Sequence, residues 1–298
     1  MKLLVTGAAG FIGSTYARLV KDEHAVTVLD KLTYAGRRDN LPDDVELVEG
    51  AIEDRELVMQ LAEGMDAIVN FAAESHVDRS IADQDAFART HVLGTSVLLD
   101  AARERGVGRF LQVSTDEVYG SIAEGSFTES SPLDPSSPYS ATKAGGDLLV
   151  SAHAHTHGLE ALICRGSNNY GPRQYPEKLI PLCLLNALNG DPLPVYGDGR
   201  QVRNWLFVED FARGIHAVLE RGRPGQAYNV GGPDECENID VVRSILELTG
   251  RDESLIEYVR DRPGHDRRYS LSSEKISTEL GWSAQVRFAD GLARTVEW

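Results

Sequence analysis

Leu3–Gly13 reads L-L-V-T-G-A-A-G-F-I-G, an apolar run that breaks into Gly7, Gly10 and Gly13 as a helical pattern opens near Phe11. A strand, a tight turn and a helix N-terminus in that order make an anion seat. The glycines permit the turn and let backbone amides approach a pyrophosphate, and the helix end favours negative charge. The stretch therefore predicts the first unit of a doubly wound α/β fold, a parallel-sheet Rossmann domain. Working outward, V-T-V-L-D (Val26–Asp30), A-I-V-N-F (Ala67–Phe71), F-L-Q-V-S (Phe110–Ser114) and L-E-A-L-I-C (Leu159–Cys164) repeat the short apolar run, with longer amphipathic stretches between them. This alternation predicts buried parallel strands joined by crossover helices, one of them over Pro138–His157.

The regularity stops after Arg165, where Gly and Pro gather in N-N-Y-G-P (Asn168–Pro172), N-G-D-P-L-P (Asn189–Pro194) and Y-G-D-G-R (Tyr196–Arg200). Loops dominate such a region. A chain of 298 residues suits two domains, and we expect a dinucleotide-binding domain over 1–165 and a smaller α/β substrate-binding domain over 166–298, with later segments able to return to the first.

Composition narrows the function. A formal charge of −16, from 46 acidic and 30 basic residues, argues against nucleic acid and anionic membrane as partners. No run approaches the roughly 18 apolar residues of a membrane helix. M-K-L-L-V is too brief for a signal-peptide core, so a chain mature from Met1 is expected, while the uncapped helical pattern at Trp298 leaves room for residues beyond it. The three cysteines, Cys164, Cys183 and Cys236, lack zinc or redox spacing, which suits reduced thiols in a cytoplasm. The histidines of H-A-H-T-H (His153–His157) spread around a helix, so no metal site is expected.

Asp30 closes the second predicted strand, 17 residues after Gly13, where a carboxylate accepts hydrogen bonds from an adenosine ribose and repels a 2′-phosphate. NAD is therefore expected over NADP, with Lys31, Arg37 and Arg38 as the residues that argue the other way. The glycine spacing, G-x-x-G-x-x-G, resembles that of the extended short-chain dehydrogenase/reductase family. That resemblance implies further cofactor contacts at Phe11, Ile12, Ile52, Asp54, Phe71, Ala72 and Ala73.

P-Y-S-A-T-K places Tyr139 and Lys143 one helical turn apart on one face. Holding a phenolate at neutral pH requires about 4 kcal/mol, and a neighbouring ammonium with a nicotinamide cation is the means expected here. The phenolate then takes a hydroxyl proton as hydride leaves the same carbon, which is the hydride chemistry of the resembled family. A surface aromatic–cation pair is the plain alternative.

The strand ending at Ser114 leads into S-T-D-E-V-Y-G, and open parallel sheets bind ligands at such strand ends. Moving a hydride on one carbon needs no extra acid or base, so Asp116 and Glu117 point to additional proton transfers. Elimination of water uses them. Once carbon 4 of a sugar is a ketone, Glu117 removes the carbon 5 proton and a protonated Asp116 protonates the leaving oxygen on carbon 6, while Thr115 binds the carbon 4 oxygen beside Tyr139. A capped turn with a solvated glutamate is the structural alternative.

Together with D-K-L-T-Y-A-G (Asp30–Gly36), A-A-E-S-H-V-D-R-S (Ala72–Ser80), S-N-N-Y-G-P (Ser167–Pro172), P-E-K-L-I-P (Pro176–Pro181) and R-P-G-H-D-R-R-Y (Arg262–Tyr269), this block resembles the nucleotide-sugar 4,6-dehydratases of that family along nearly the whole chain. The resemblance implies a lyase with tightly held NAD restored each turnover, the hydride returning to carbon 6. It implies sugar contacts at Glu74 and Ser75, and a diphosphate held by Arg203, Asn229 and Arg262 with Asn168, Lys178 and Leu179 near it. It also places Tyr196 near the base and His265 among the substrate contacts. His76 is read as structural, at the domain seam. Arg260–Arg268 carries four arginines against two aspartates, a local positive excess suited to an anionic ligand. A homodimer through helices near Thr95–Arg105 and Tyr139–His157 is implied as well. A UDP-sugar dehydratase, an epimerase and a non-catalytic NAD-binding protein are the alternatives left open.

Overall fold

The computed structural model describes residues 1–298. Twelve strands run β1 (Lys2–Thr6), β2 (Ala25–Asp30), β3 (Glu46–Glu49), β4 (Ala67–Asn70), β5 (Arg109–Thr115), β6 (Ala161–Gly166), β7 (Asn168–Tyr170), β8 (Leu193–Tyr196), β9 (Val202–Phe207), β10 (Ala227–Val230), β11 (Asp234–Glu237) and β12 (Ile256–Val259). Seven of them form one sheet in the order β10-β6-β5-β4-β1-β2-β3, and every neighbouring pair is parallel. Chain order reverses between β1 and β4, which opens a crevice at the carboxyl edge of the sheet. The sequence reading missed β3, whose E-L-V-E offers only two apolar residues at the sheet's edge.

The helices are α1 (Phe11–Val20), α2 (Arg55–Leu61), α3 (Val77–Ala82), α4 (Asp85–Ala88), α5 (Thr95–Glu104), α6 (Pro138–His157), α7 (Leu179–Asn189), α8 (Val208–Arg221), α9 (Asn238–Thr249), α10 (Glu274–Leu280) and α11 (Phe288–Glu297). Period-two alternation divides the strands between two cores. Leu3, Val5 and Val28 pack under α1 and α8 with Tyr16, Phe211 and Ile215, whereas Leu4, Leu29 and Phe110 pack under α5 and α6 with Leu98, Ala102 and Val150. The helix predicted from Pro138 to His157 has that extent for local reasons: Ser137 and Ser140 form a capping box, Pro138 opens the helix, and Gly158 ends it in the left-handed region at φ 66°.

Residues 227–230 supply the edge strand beside β6, and Ile276, Leu280 and Trp282 join the core beneath α8, so the second half of the chain contributes to the nucleotide sheet. A separate core of Tyr170, Ile180, Trp205, Val242 and Phe288 holds the other lobe, built on the sheets β11-β9-β7 and β12-β8. The two lobes face each other across the crevice.

Candidate active site

A cavity of about 380 Å³ runs along the carboxyl edge of the central sheet. Its floor begins at the glycine turn. Gly7 has φ +70°, and a Cβ there would lie 2.5 Å from the backbone nitrogen of Ala72; at Gly13 a Cβ would lie 2.7 Å from the Gly7 carbonyl oxygen. The first and third glycines are thus required by close packing, and α1 opens at Gly10 with no side chain capping its free amides. Asp30 is buried; its Oδ2 accepts from Ala9 N at 2.8 Å and its Oδ1 from Leu32 N at 2.8 Å. Burial raises its pKa and those two amides pull it back, leaving a positioned carboxylate with lone pairs to spare.

Phe11, Ile12, Ile52, Phe71, Ala72 and Ala73 line this part of the cavity with Gly7, Gly10, Gly13 and Asp30. A dinucleotide fits: a glycine cradle without Cβ atoms, an uncapped helix end and a ribose carboxylate stand in order. Of the basic residues near Asp30 only Lys31 lines the cavity. Arg37 pairs with Asp39 at 3.3 Å, and Arg38 donates to the carbonyls of Val45 and Asp43, which removes two of the three arguments for a 2′-phosphate. Asp54 departs from expectation. Its carboxylate caps α2, accepting from Leu57 N at 3.2 Å, and Glu53 lines the cavity in its place.

The end of β5 supplies the charged part of the wall. Thr115 caps the short 3-10 turn Asp116–Tyr119: Glu117 N donates to its Oγ1 at 3.2 Å, and that hydroxyl donates to Asp116 Oδ1 at 3.2 Å. Thr115 therefore does the capping that the structural alternative assigned to Asp116. Asp116 is buried, with Oδ2 unpartnered, and burial together with the neighbouring Glu117 pushes its pKa to about 8. Burial also raises Glu117, but Arg262, Lys178 and Arg203 pull it back toward the charged form. Burial thus raises both adjacent carboxyls; three cations oppose the shift at Glu117, whereas at Asp116 the Glu117 charge adds to it and Arg203 opposes it.

Tyr139 and Lys143 project from the first turns of α6 into the same cavity. Tyr139 N donates to Ser80 Oγ at 3.1 Å, and Thr115 lines the same cavity as the Tyr139 side chain. Burial, then the charges of Glu117 and Asp116, raises the Tyr139 pKa, so in the protein alone it is a phenol. Lys143 is buried, its pKa lowered by burial to about 8, and its Nζ donates to the Val113 carbonyl at 2.7 Å. His91, which sequence reasoning did not single out, packs edge-on against Tyr139 at 5.7 Å and meets Thr142 Oγ1 at 2.8 Å. It lies in a π-helical turn, Arg89–Gly94, directly before α5.

Glu74, Ser75, Asn168, Lys178 and Leu179 line the far side of the cavity, and Lys178 Nζ donates to the Ser75 carbonyl at 2.5 Å. Arg203, Arg262, Tyr196 and His265 stand outside that lining. Arg203 is buried, donating to the Asp266 carbonyl at 3.0 Å with its guanidinium 4.3 Å over the Tyr269 ring. Arg262 lies 3.8 Å from Asp78, whose other oxygen accepts from the Tyr196 hydroxyl at 3.2 Å. His265 sits 2.6 Å from Asp261. Three of the four arginines in the basic loop are in ion pairs, Arg262 with Asp78, Arg267 with Asp198 at 2.8 Å and Arg268 with Glu235 at 2.9 Å, so the positive excess is smaller than composition implied.

Asn229 is not a cavity residue. It is fully buried, with Oδ1 accepting from the Tyr119 hydroxyl at 2.8 Å and Nδ2 donating to the Phe127 carbonyl at 3.2 Å. Both ends of the amide are consumed by a buried network that continues through Arg165 to Asp147. The reading also missed the contact that joins the lobes. The Tyr34 hydroxyl donates to Glu177 Oε1 at 3.0 Å, Arg79 stacks 3.7 Å over the Tyr34 ring, and His76 Nε2 lies 4.0 Å from Glu177 Oε2. Tyr34 and Glu177 are 143 residues apart, so no spacing rule links them.

Comparison with known proteins agrees with this geometry. Residues 4–295 match the GDP-mannose 4,6 dehydratase family. A dTDP-glucose 4,6-dehydratase of Streptomyces niveus is 51% identical, over 100% of this chain and 92% of that protein. The low-salt glycan biosynthesis protein Agl12 of Haloferax volcanii is 52% identical, over 100% of this chain and 98% of that protein. The crystal structure of DesIV, a dTDP-glucose 4,6-dehydratase from Streptomyces venezuelae with NAD and TYD bound, superposes with a TM-score of 0.97 at 53% identity, covering 100% of this chain and 96% of that one. A UDP-glucose 4-epimerase from Thermotoga maritima superposes with a TM-score of 0.94 at 30% identity, covering 100% and 98%. The chain therefore belongs to the GDP-mannose 4,6 dehydratase family, within the extended short-chain dehydrogenases/reductases.

Proposed function

We infer that the protein is an NAD-dependent dTDP-glucose 4,6-dehydratase, forming dTDP-4-keto-6-deoxyglucose. The observation that carries this reading is the adjacent pair Asp116 and Glu117, two carboxyl groups that face one cavity with Tyr139 and can serve there as acid and base. NAD, held along Gly7–Gly13 and Asp30, supplies a hydride acceptor for carbon 4 and a hydride donor for carbon 6. The chain's own residues handle the protons. Tyr139 and Thr115 hold the carbon 4 oxygen; Tyr139, a phenol in the protein alone, would release its proton to solvent under the positive charge that Lys143 and bound NAD supply, and as phenolate takes the carbon 4 hydroxyl proton. Glu117 removes the carbon 5 proton, acidified by the new ketone, and Asp116 gives its proton to the carbon 6 oxygen, which departs as water. Lys178, Arg203 and Arg262 offset the diphosphate charge.

The fold also carries 4-epimerases, which move hydride on one carbon and have no leaving oxygen to protonate. The acid at Asp116 favours elimination. Incubation with dTDP-glucose and no added cofactor, followed by mass spectrometry, is expected to show loss of one water; recovery of an isomer with unchanged mass overturns the reading in favour of epimerisation. A parallel reaction with UDP-glucose tests the choice of base.

The same reading extends to assembly and location. Leu93, 50% exposed, and Leu148, 60% exposed, lie on the turn before α5 and on α6, an apolar face that supports a homodimer through those helices. Three free cysteines suit a cytoplasm, and no helix is long and apolar enough to cross a membrane.

A further inference from the structure

Three buried polar atoms without partners converge at the opposite edge of the central sheet, between α1 and α8. They are the Tyr16 hydroxyl, His24 Nε2 and His216 Nδ1. The rings of His24 and His216 are 5.3 Å apart, and those of Tyr16 and His216 are 6.1 Å apart. His216 Nε2 already lies 3.5 Å from Glu220 Oε1, one turn along α8. Native interiors rarely leave an imidazole nitrogen unpartnered, and His24, whose Nε2 is such an atom, offers a ring nitrogen within 4.8 Å of ligand atoms of both His216 and Glu220. We propose that His24, His216 and Glu220 bind a divalent transition-metal ion of the zinc class, fixing α8 to the connection between α1 and β2.

The donor set suits such an ion, since two imidazoles and one carboxylate with an added water complete a four-coordinate shell. One ligand atom from each residue lies within 4.8 Å of the others. Tetrahedral zinc with bonds of about 2.1 Å sets its ligand atoms roughly 3.4 Å apart; the His216–Glu220 separation matches, and His24 closes the remainder by turning its half-buried ring. Magnesium and calcium take all-oxygen shells and are disfavoured. The site adjoins the starts of β1 and β2, whereas the catalytic residues adjoin strand ends, so it acts on stability and not on the chemistry.

The test uses the full-length, cofactor-loaded protein after treatment with a chelator. Titration with cobalt(II) is expected to give the visible bands of tetrahedral coordination, and zinc in about hundredfold excess over Kd to raise Tm by roughly 4 °C. Glu220→Gln, at an exposed position that folding tolerates, and His24→Ala should each lose the bands and most of the Tm shift, with turnover unchanged. Absence of bands in the parent protein, or an equal zinc shift in parent and both variants, overturns the proposal and assigns the three atoms to bound water.

Discussion

At the carboxyl edge of the sheet the loops after β1 and β5 both present hydrogen-bonding groups to a ligand, from different materials. After β1 the donors are backbone amides within eight residues, Thr6–Gly13, and the geometry is set by missing Cβ atoms, at Gly13 against Gly7 and Ala8 and at Gly7 against the backbone of Phe71 and Ala72. After β5 the groups are side chains whose protonation is set by distant partners: Asp116 and Glu117 answer to burial, to each other and to Arg203, Lys178 and Arg262. A site made of backbone is specified by sterics and is nearly independent of pH. A site made of buried carboxyls is specified by electrostatics and depends on pH throughout.

The largest expected effect lies on the electrostatic side. Glu117→Gln keeps the shape and removes the base, so steady-state turnover should fall about 10²- to 10⁴-fold, while a single exposure to substrate still reduces the bound cofactor. Tyr139→Phe should show the same loss in turnover with no cofactor reduction. Absorbance of the reduced nicotinamide separates the two variants, and the reverse pattern breaks the assignment of roles.

On the steric side, Gly7→Ala forces a Cβ to within 2.5 Å of Ala72 N at a φ of +70°. Strain of about 1–3 kcal/mol is expected, equivalent to roughly 5- to 150-fold weaker NAD binding if the loop relaxes only when empty. Calorimetric titration of NAD at pH 6 and pH 9 checks both the loss and its independence of pH. A loss that varies with pH would show that the turn is not a purely steric device.

The same contrast governs what was legible beforehand. Gly7, Gly10, Gly13 and Asp30 could be read because their relations are local, and α6 could be placed to the residue because Ser137, Pro138 and Gly158 act on their immediate neighbours. Asn229 and Asp54 were misplaced because a motif reports which residues recur, not which way a side chain turns; one is consumed by Tyr119 and Phe127, the other by a helix end. Glu177 and Tyr34 stood inside quoted motifs, yet their meeting depends on how two lobes close. The adjacency of Asp116 and Glu117 was legible, but burial raises both, and the cations that oppose this at Glu117 lie on segments scattered from residue 178 to 262.

Acidity offers a tenfold lever. Asp116 must carry its proton to act as the acid, and its pKa is pushed up to about 8. Elimination should therefore fall about tenfold per unit above that value, and fall again toward acid where Glu117 gains a proton. Lys143 titrates near the same pH, but it serves the oxidation step. Carbon 5 deuterium exchange follows elimination and cofactor reduction follows oxidation, so the two limbs are separable. Asp116→Asn should remove the alkaline limb from the first readout and leave the second unchanged; an alkaline limb that survives in the first would reassign it to Lys143.

The smallest effect concerns the seam where the two kinds of site meet. The loop from Lys31 to Gly36 covers the backbone-built half and residues 174–178 belong to the lobe that carries the side-chain half; Tyr34 and Glu177 tie one to the other. A redox-neutral cycle requires the nicotinamide to stay in place while the sugar is transformed, so this tie should act on cofactor release more than on any bond-making step. Tyr34→Phe keeps the ring under Arg79 and deletes only the hydroxyl. A lost hydrogen bond of about 0.5–1.5 kcal/mol predicts NAD release faster by roughly 2- to 10-fold, measured by displacement of labelled NAD, with single-turnover cofactor reduction unchanged. Glu177→Gln should act in the same direction. Release at the parent rate in both variants would mean that the lobes hold the cofactor by shape alone, extending the steric principle of the glycine turn to the whole dinucleotide.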